Sequence, residues 1–208
     1  GQVLTASWDG TAKLWDATTF ELMATFQGHH ECVWSAVFSP GGGQVLTASF
    51  DGTAKLWDAT TFELMTTFQG HHEFVSAVFS PGGGQVLTAS VDGTAKLWDA
   101  TTFELMTTFE GHDGAIMSAV FSPGGGQVLT TSNDQTAKLW DAKTFELKTT
   151  FEGHQDCVNS AVFSPGGGQV LTVSSDFTAK LWNATTFELM TTFEGHQDDV
   201  NSAVFSPG

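Results

Sequence analysis

The chain has 208 residues, 40% of them hydrophobic, with 23 acidic side chains against seven basic ones and a formal net charge of −16. That balance lacks the basic surface that neutralises nucleic-acid phosphate, and anionic lipid would repel it, so neither is an expected partner. No run approaches the length of a membrane-spanning helix, and the acidity reads first as solubility, with a basic patch on a partner as the sharper alternative.

One stretch recurs five times almost letter for letter, opening at Gly1, Gly43, Gly84, Gly126 and Gly168. Length is therefore a count of units, and the chain is read as one domain of repeats 1–42, 43–83, 84–125, 126–167 and 168–208. It opens in mid-repeat without an initiating methionine, so it reads as a segment of something longer or as an engineered array. In the second repeat, Gln44 to Ser49 alternates and is rich in Val, Leu and Thr, which predicts a strand. Asp51-Gly52 is a hairpin turn signal, and Thr53 to Asp58 is the next strand, with Leu56 and Trp57 on opposite faces. After a turn at Ala59-Thr60-Thr61, Phe62 to Phe68 predicts a third strand with Phe62, Leu64, Thr66 and Phe68 on one face. A loop at Gly70-His71-His72 leads to a fourth strand, Val75 to Phe79. Pro81 and the glycines after it end that strand, because proline cannot donate to a ladder. Four short antiparallel strands per unit of about 42 residues is the pattern of a propeller blade, which buries its faces only by stacking on neighbours.

Gly28-His29, followed by Ser49-Phe50-Asp51-Gly52 and then Lys55-Leu56-Trp57-Asp58, resembles the Gly-His…Trp-Asp signature of WD40 repeats, and the resemblance covers the whole chain. It implies an all-β propeller with five four-stranded antiparallel blades, strands a to d running outward from the axis. Strand a is then the Ser-Ala-Val-Phe run, b is Gln-Val-Leu-Thr, c carries Trp-Asp, and d is Phe-Glu-Leu. The resemblance also implies a buried structural network in each blade, linking His29, Ser49 or Thr47, Asp51 and Trp57. The corresponding sets are His71, Ser90 or Thr88, Asp92 and Trp98; His112, Ser132 or Thr130, Asp134 and Trp140; His154, Ser174 or Thr172, Asp176 and Trp182. The choice between the two hydroxyls stays open. Asn183, which replaces the last Trp-Asp aspartate, lies outside the network, so little effect is expected.

The first repeat begins at strand b, and Val200 to Phe205 is a strand a with no blade of its own. A fifth network would need His196 with Ser7 or Thr5, Asp9 and Trp15, so the two ends are expected to complete one composite blade. An unpaired sheet edge is an aggregation hazard. Closing five blades alone would wedge neighbours open, so a homodimer formed by head-to-tail closure is the favoured expectation, and a closed five-bladed monomer is the runner-up.

The repeats differ at few places. Before the turn aspartate stand Trp8, Phe50, Val91, Asn133 and Ser175. The loop after Gly-His varies and holds Cys32 and Cys157. The one-residue deletion of the second repeat is placed in that loop, matching Phe74 to Val33, so the residues entering strand a are Trp34, Val75, Met117, Asn159 and Asn201. In the propeller these positions share one end, the usual docking face of the family. Trp8, Trp34 and Phe50 are expected to be exposed there and to form one apolar patch, since aromatics anchor interfaces. Neutral drift in permissive loops is the competing reading.

Catalytic chemistry is not expected. Ser, His and Asp recur in every blade, but five equivalent sets argue for scaffold rather than nucleophile. One spare histidine per blade (His30, His72) makes no metal site, and the triple glycines open no helix and so cradle no phosphate. No cofactor is expected. Cys32 and Cys157 lie three repeats apart, too far for a disulfide, which fits a reducing, cytoplasmic location. Two functions remain: an interaction scaffold docking a protein or peptide on the variable face, or a structural or engineered array without a dedicated ligand that self-assembles by strand complementation.

Overall fold

In the computed structural model, which describes residues 1–206, secondary structure consists of nineteen strands and no helix among the described residues. The first sheet is three-stranded: β1 (Gln2–Ala6), β2 (Thr11–Asp16) and β3 (Leu22–Gln27). The second holds β4 (Val33–Phe38), β5 (Gln44–Ser49), β6 (Ala54–Asp58) and β7 (Leu64–Phe68). The third holds β8 (Val75–Phe79), β9 (Gln85–Ser90), β10 (Ala95–Asp99) and β11 (Leu105–Phe109). The fourth holds β12 (Ile116–Phe121), β13 (Gln127–Ser132), β14 (Ala137–Asp141) and β15 (Leu147–Phe151). The fifth holds β16 (Val158–Phe163), β17 (Gln169–Ser174), β18 (Ala179–Asn183) and β19 (Leu189–Phe193). Each is an antiparallel meander in chain order. The chain forms two compact units: Gly1–Asp92 with Lys96–Met106, and Gly93–Ala95 with Thr107 onward.

In the first unit, β5 is buried from Val45 to Ser49 rather than on alternate residues, because both of its faces are covered. Val45 pairs across from Trp57, and Leu46 across from Leu56. The Val45 and Trp57 face packs on Ala12, Leu14 and Phe26 of the first sheet. The Leu46 and Leu56 face packs on Val75, Val86 and Trp98 of the third. Each fully buried Val or Leu stabilises by roughly 1.5–3 kcal/mol. The second unit repeats the arrangement: Leu129, Leu139 and Phe151 pack on Val158, Val170 and Trp182.

The turns account for the invariant small and polar residues. Asp58 Oδ1 accepts the backbone N–H of Thr60 and of Thr61, each at 2.8 Å. Asn183 Oδ1 does the same for Thr185 and Thr186 at 2.8 and 2.9 Å; a carbonyl oxygen is all that turn requires, so the Asp-to-Asn change leaves it intact. Phe62 belongs to the turn rather than to a strand. Its φ is 64°, and its ring lies 6.4 Å from that of Phe26, whereas Phe68 packs on the opposite face against Trp98. The expected shared face of Phe62 and Phe68 is therefore corrected, because a left-handed residue interrupts the two-residue alternation. The hairpin turn after Asp51 takes a positive φ at Gly52, and the equivalent positions in the fourth and fifth sheets hold Gln135 and Phe177 at 72° and 68°.

The deletion in the second repeat falls elsewhere than expected. β4 carries a bulge between Val33 and Ser35 that holds Trp34, and β12 and β16 bulge at Met117 and Asn159. β8 runs straight from Val75 opposite Ser90 to Ser76 opposite Ala89. The missing residue is thus the bulge residue. Val75 is the counterpart of Val33 and is fully buried, so it belongs to the core and not to a docking face. Residues 201–206 form no strand. Val200, Ala203 and Phe205 nonetheless pack on Leu171, Val173 and Ala179 of the fifth sheet.

Candidate functional site

Two constellations come from the sequence: the histidine network and the variable face. In the first unit, His29 Nδ1 lies 2.9 Å from Asp51 Oδ2, and His29 Nε2 lies 2.8 Å from Thr47 Oγ1. Trp57 Nε1–H donates to the same Thr47 hydroxyl at 2.9 Å. The open choice of hydroxyl is thus resolved by position: the threonine is the junction. Ser49 Oγ instead accepts from Asp51 N at 3.1 Å and donates to Glu31 O at 3.3 Å, tying the loop before β4 to the hairpin. His71, Thr88, Asp92 and Trp98 repeat the pattern in the first unit, with each bond at 2.9 Å. His112, Thr130, Asp134 and Trp140 do so in the second at 2.7 to 3.0 Å, as do His154, Thr172, Asp176 and Trp182 at 2.8 to 2.9 Å. Ser90 and Ser174 play the part of Ser49, and Ser132 Oγ accepts from Asp134 N.

Each bond direction follows from donor supply. Trp57 N–H can only donate, so Thr47 Oγ accepts it and gives its own proton to His29 Nε2. His29 then carries its proton on Nδ1 and donates to Asp51. Burial pushes the His29 imidazole below its ordinary range and outweighs the Asp51 carboxylate, which pulls the other way. The neutral ring is the form that fits. Burial alone would raise Asp51, but the Thr53 hydroxyl, the His30 N–H and His29 all donate to it and bring it down to about 2. Asp176 is held at about 2 in the same way by Thr178, Gln155 N–H and His154, against burial.

A hydroxyl, an imidazole and a carboxylate in this order also describe a hydrolase triad. Here the hydroxyl is that of Thr47, 1% exposed, and its lone pair is occupied by a tryptophan N–H. A substrate carbonyl has no path to it.

The first sheet holds three members of a fifth set. Trp15 Nε1–H donates to Thr5 Oγ1 at 3.0 Å, and Asp9 Oδ1 accepts from Thr11 N and Oγ1 at 2.9 and 2.7 Å. Among the described residues no histidine bonds Asp9 or Thr5. His196 is exposed.

On the variable face of the first unit, Trp34 is 52% and Phe50 39% exposed. Their ring centroids are 6.0 Å apart, and both meet Phe74, at 5.5 Å from Trp34 and 4.8 Å from Phe50. Phe74 is not the counterpart of Val33 that the sequence alignment expects, and the moved deletion explains its place. Phe50 N donates to Cys32 O, as Val91 N does to Phe74 O, so Phe74 is the counterpart of Cys32. Trp8, 74% exposed, stands apart from these rings and lines a cleft with Asp9, Gly10, His30, Glu31 and Cys32. The single patch expected of Trp8, Trp34 and Phe50 is thus a three-ring cluster without Trp8. Val91 is half-buried beside Phe74 in this unit. In the second unit the equivalent positions are polar or aliphatic. Asn133 and Asn201 are exposed, Met117 is 42% exposed, and Asn159 Nδ2 donates to Ser175 Oγ and to Val200 O at 3.0 and 3.1 Å. Cys32 and Cys157 are free thiols, and burial with nearby Asp156 pushes the Cys157 thiol up, away from the reactive thiolate.

The sequence model of the WD domain, G-beta repeat, matches residues 1–16, 20–58, 62–99, 103–141, 145–183 and 187–208. The chain belongs to the WD40 repeat family. Its repeats are also similar to the human peroxisomal targeting signal 2 receptor, 45% identical over 38 residues, which are 18% of this chain and 12% of that protein. The chain therefore corresponds to a small part of that relative's length. In the second to fifth sheets the histidine, threonine, aspartate and tryptophan of the WD40 repeat are committed to one another. That leaves the variable loops and bulges as the places where this WD40 chain presents side chains of its own. No helix among the described residues is long and apolar enough to cross a membrane.

Proposed function

We propose that this chain is a non-catalytic interaction scaffold that docks a protein or peptide on the face carrying Trp34, Phe50 and Phe74. The observation behind this reading is the three-ring cluster of exposed Trp34 and Phe50 on half-buried Phe74; at the Trp34 and Phe50 positions the second unit has Met, Asn and Ser, and at the Phe74 position Ala and Cys. Exposed aromatics packed against each other supply a rigid apolar anchor at small entropic cost. Trp8, Cys32, Met117, Asn133, Asn159, Ser175, Asn201 and Cys157 are the secondary contacts of the same kind of face. Glu31 and Glu73 stand exposed on the adjoining loops, and with a net charge of −16 they favour a ligand that pairs an apolar residue with lysine or arginine. The human relative is by name a receptor for a targeting signal, which accords with short-peptide recognition. A panel of synthetic peptides, each an aromatic or aliphatic anchor between lysines, provides the test. Trp34→Ala with Phe50→Ala should lower peptide affinity at least tenfold and leave the melting temperature within two degrees or so, since exposed side chains contribute little to stability. Peptide binding that survives both substitutions sinks the reading.

A second reading, self-association into a homodimer, is favoured by a different observation: Val3 and Phe20 of the first sheet and Phe193 of the fifth are exposed, whereas their counterparts in the other sheets are buried or half-buried. The acidity disfavours nucleic acid and membrane as partners, and two free thiols accord with a reducing compartment.

A further inference from the structure

Trp34, Phe50 and Phe74 come from three places in the chain. Trp34 is the bulge residue of β4, Phe50 stands between β5 and the hairpin turn, and Phe74 ends the loop before β8. The hairpin is fixed against the loop that leads to Trp34, because Phe50 N donates to Cys32 O and the Ser49 hydroxyl donates to Glu31 O at 3.3 Å. Trp34 meets each phenylalanine ring at 78°, and the two phenylalanines are tilted by 59°. With all three centroids 4.8 to 6.0 Å apart, the rings fill the space between themselves. The cluster is therefore a platform. It is neither a pocket that admits a side chain nor a cage that wraps a trimethylammonium group. Trp34, 52% exposed, is the part of the platform that stays most open.

The charge beside this platform has one sign. Glu73 directly precedes Phe74, Glu31 stands three residues before Trp34, and both are exposed. Asp51 follows Phe50 but is committed to His29, the His30 N–H and Thr53. Neither loop, 28–33 or 70–74, contains a lysine or an arginine. The lysines of this unit, Lys13, Lys55 and Lys96, lie on β2, β6 and β10, and Lys55 Nζ donates to Thr67 Oγ1 at 3.0 Å. An open indole with two carboxylates on the adjoining loops thus offers a cation both a ring face and a counter-charge.

We propose that the basic residue of the docked peptide is an arginine, whose guanidinium lies flat on the indole of Trp34 with its N–H edge toward Glu31 or Glu73, while an apolar neighbour in the same peptide covers Phe50. This rests on the docking reading and names the side chain that the platform selects. A guanidinium is planar and weakly hydrated, so it stacks on an open ring at small desolvation cost and still directs its donors sideways to carboxylates. A lysine ammonium is a compact, strongly hydrated charge with no plane to stack. A trimethylammonium group needs rings on several sides, and here the rings are turned against each other. The supporting phenylalanines hold Trp34 before the ligand arrives, which lowers the ordering cost of binding. Trp8 is more exposed but stands apart from these rings and lacks that support. At the bulge and hairpin positions the second unit has Met117, Asn159, Asn133 and Ser175 and no ring, so one arginine is bound per chain.

The test is fluorescence anisotropy of labelled peptides titrated with the whole chain. The peptides share one leucine anchor and differ only at the basic position, which holds arginine, lysine, trimethyl-lysine or citrulline, the last with the same plane and no charge. The arginine peptide should bind at least about tenfold more tightly than the lysine and citrulline peptides, and its affinity should fall as sodium chloride rises from about 0.1 to 0.5 M. Trp34→Ala should abolish the preference for arginine over lysine, Trp34→Phe should keep part of it, and Trp8→Ala should leave it unchanged. Glu31→Gln with Glu73→Gln should weaken the arginine peptide severalfold and leave the citrulline peptide as it was. All these positions are exposed, so the variants fold. Equal affinity for arginine and lysine, tightest binding of trimethyl-lysine, or an arginine preference that survives Trp34→Ala each overturns the proposal. If binding in those cases is still lost on replacing Trp34 and Phe50 together by alanine, the docking reading stands without the arginine. If none of the peptides binds, both fall.

Discussion

Thr47→Val replaces a hydroxyl by a methyl of nearly the same volume in a site 1% exposed. No cavity opens, and the loss is confined to polar partners. Two groups are orphaned: Trp57 Nε1–H, on a side chain 4% exposed, and the lone pair of His29 Nε2, which sat 2.8 Å from the hydroxyl. Each buried polar group left unpaired costs about 1–3 kcal/mol, so the two together should cost about 2–6 kcal/mol. For a chain of this size each kcal/mol moves the melting temperature by about 2–4 °C. Ser49→Ala is the control. It breaks longer bonds of 3.1 and 3.3 Å to backbone groups of two loops, which leaves Asp51 N and Glu31 O to seek water, and should cost about 1 kcal/mol. Urea denaturation of the two variants at neutral pH measures both. A double-mutant cycle of Thr47→Val with Trp57→Phe should show a coupling of at least about 0.5 kcal/mol. If Thr47→Val is neutral while Ser49→Ala is costly, the serine is the junction and the directional chain from tryptophan to aspartate is refuted.

Two further outcomes follow from the same geometry. Burial lowers the pKa of His29, His71, His112 and His154 below the ordinary histidine value, so the unfolded chain takes up protons first as pH falls. Stability is full above about pH 6.5 and drops below it, by up to about 1.4 kcal/mol per pH unit for each histidine. A second loss follows between about pH 4 and 2 as Asp51 and Asp176, held at about 2, lose their advantage over the unfolded chain. Denaturation midpoints measured from pH 7.5 to 5.5 that stay level or rise would contradict the neutral-imidazole assignment. Gln135→Gly and Phe177→Gly relieve a left-handed backbone at 72° and 68° where the other three repeats have glycine at 78–83°. Each should stabilise by about 1 kcal/mol, read as a rise in melting temperature, and a fall would show that the side chain offsets the strain.

Strand order and the b–c hairpin are legible in the sequence, because their signals are local: alternation, an Asp-Gly turn, a proline stop; the strand expected at Val200–Phe205 is not formed. Legibility stops where the signal is shared between neighbours. Phe62 has the spacing of a strand residue, and only its contact with Phe26 of the adjoining sheet shows why it turns back with a positive φ. Thr47 and Ser49 both carry a hydroxyl on β5 two residues apart, and both point to the same face; what separates them is reach, since Thr47 lies across from Lys55 and under the indole of Trp57, while Ser49 lies at the strand end beside the loop. His29, Asp51 and Trp57 are legible as a set through the repeat signature. Their bond directions depend on a donor inventory that needs the third dimension.

The misplaced deletion shows how much one register decision carries. With the gap in the loop, Phe74 falls in the core and Val75 on the surface. With the gap at the bulge, the two exchange roles. Physical chemistry favours the second placement, because a bulge residue makes no paired contact in the ladder, so removing it leaves every cross-strand pair of β8 and β9 intact. Shortening the loop instead would have left a bulge to fill with valine and would have put Phe74 where the other repeats have a fully buried Val or Ile, an overpacked site. The same deletion removes the side chain that Trp34, Met117 and Asn159 supply elsewhere, and Phe74 is the ring that meets both Trp34 and Phe50. The aromatic face of the first unit therefore differs from the second unit's by three aromatic side chains, Trp34, Phe50 and Phe74, and by one missing bulge residue. Restoring it, by inserting asparagine between Val75 and Ser76, is the most economical way to ask whether that cluster is what a ligand reads.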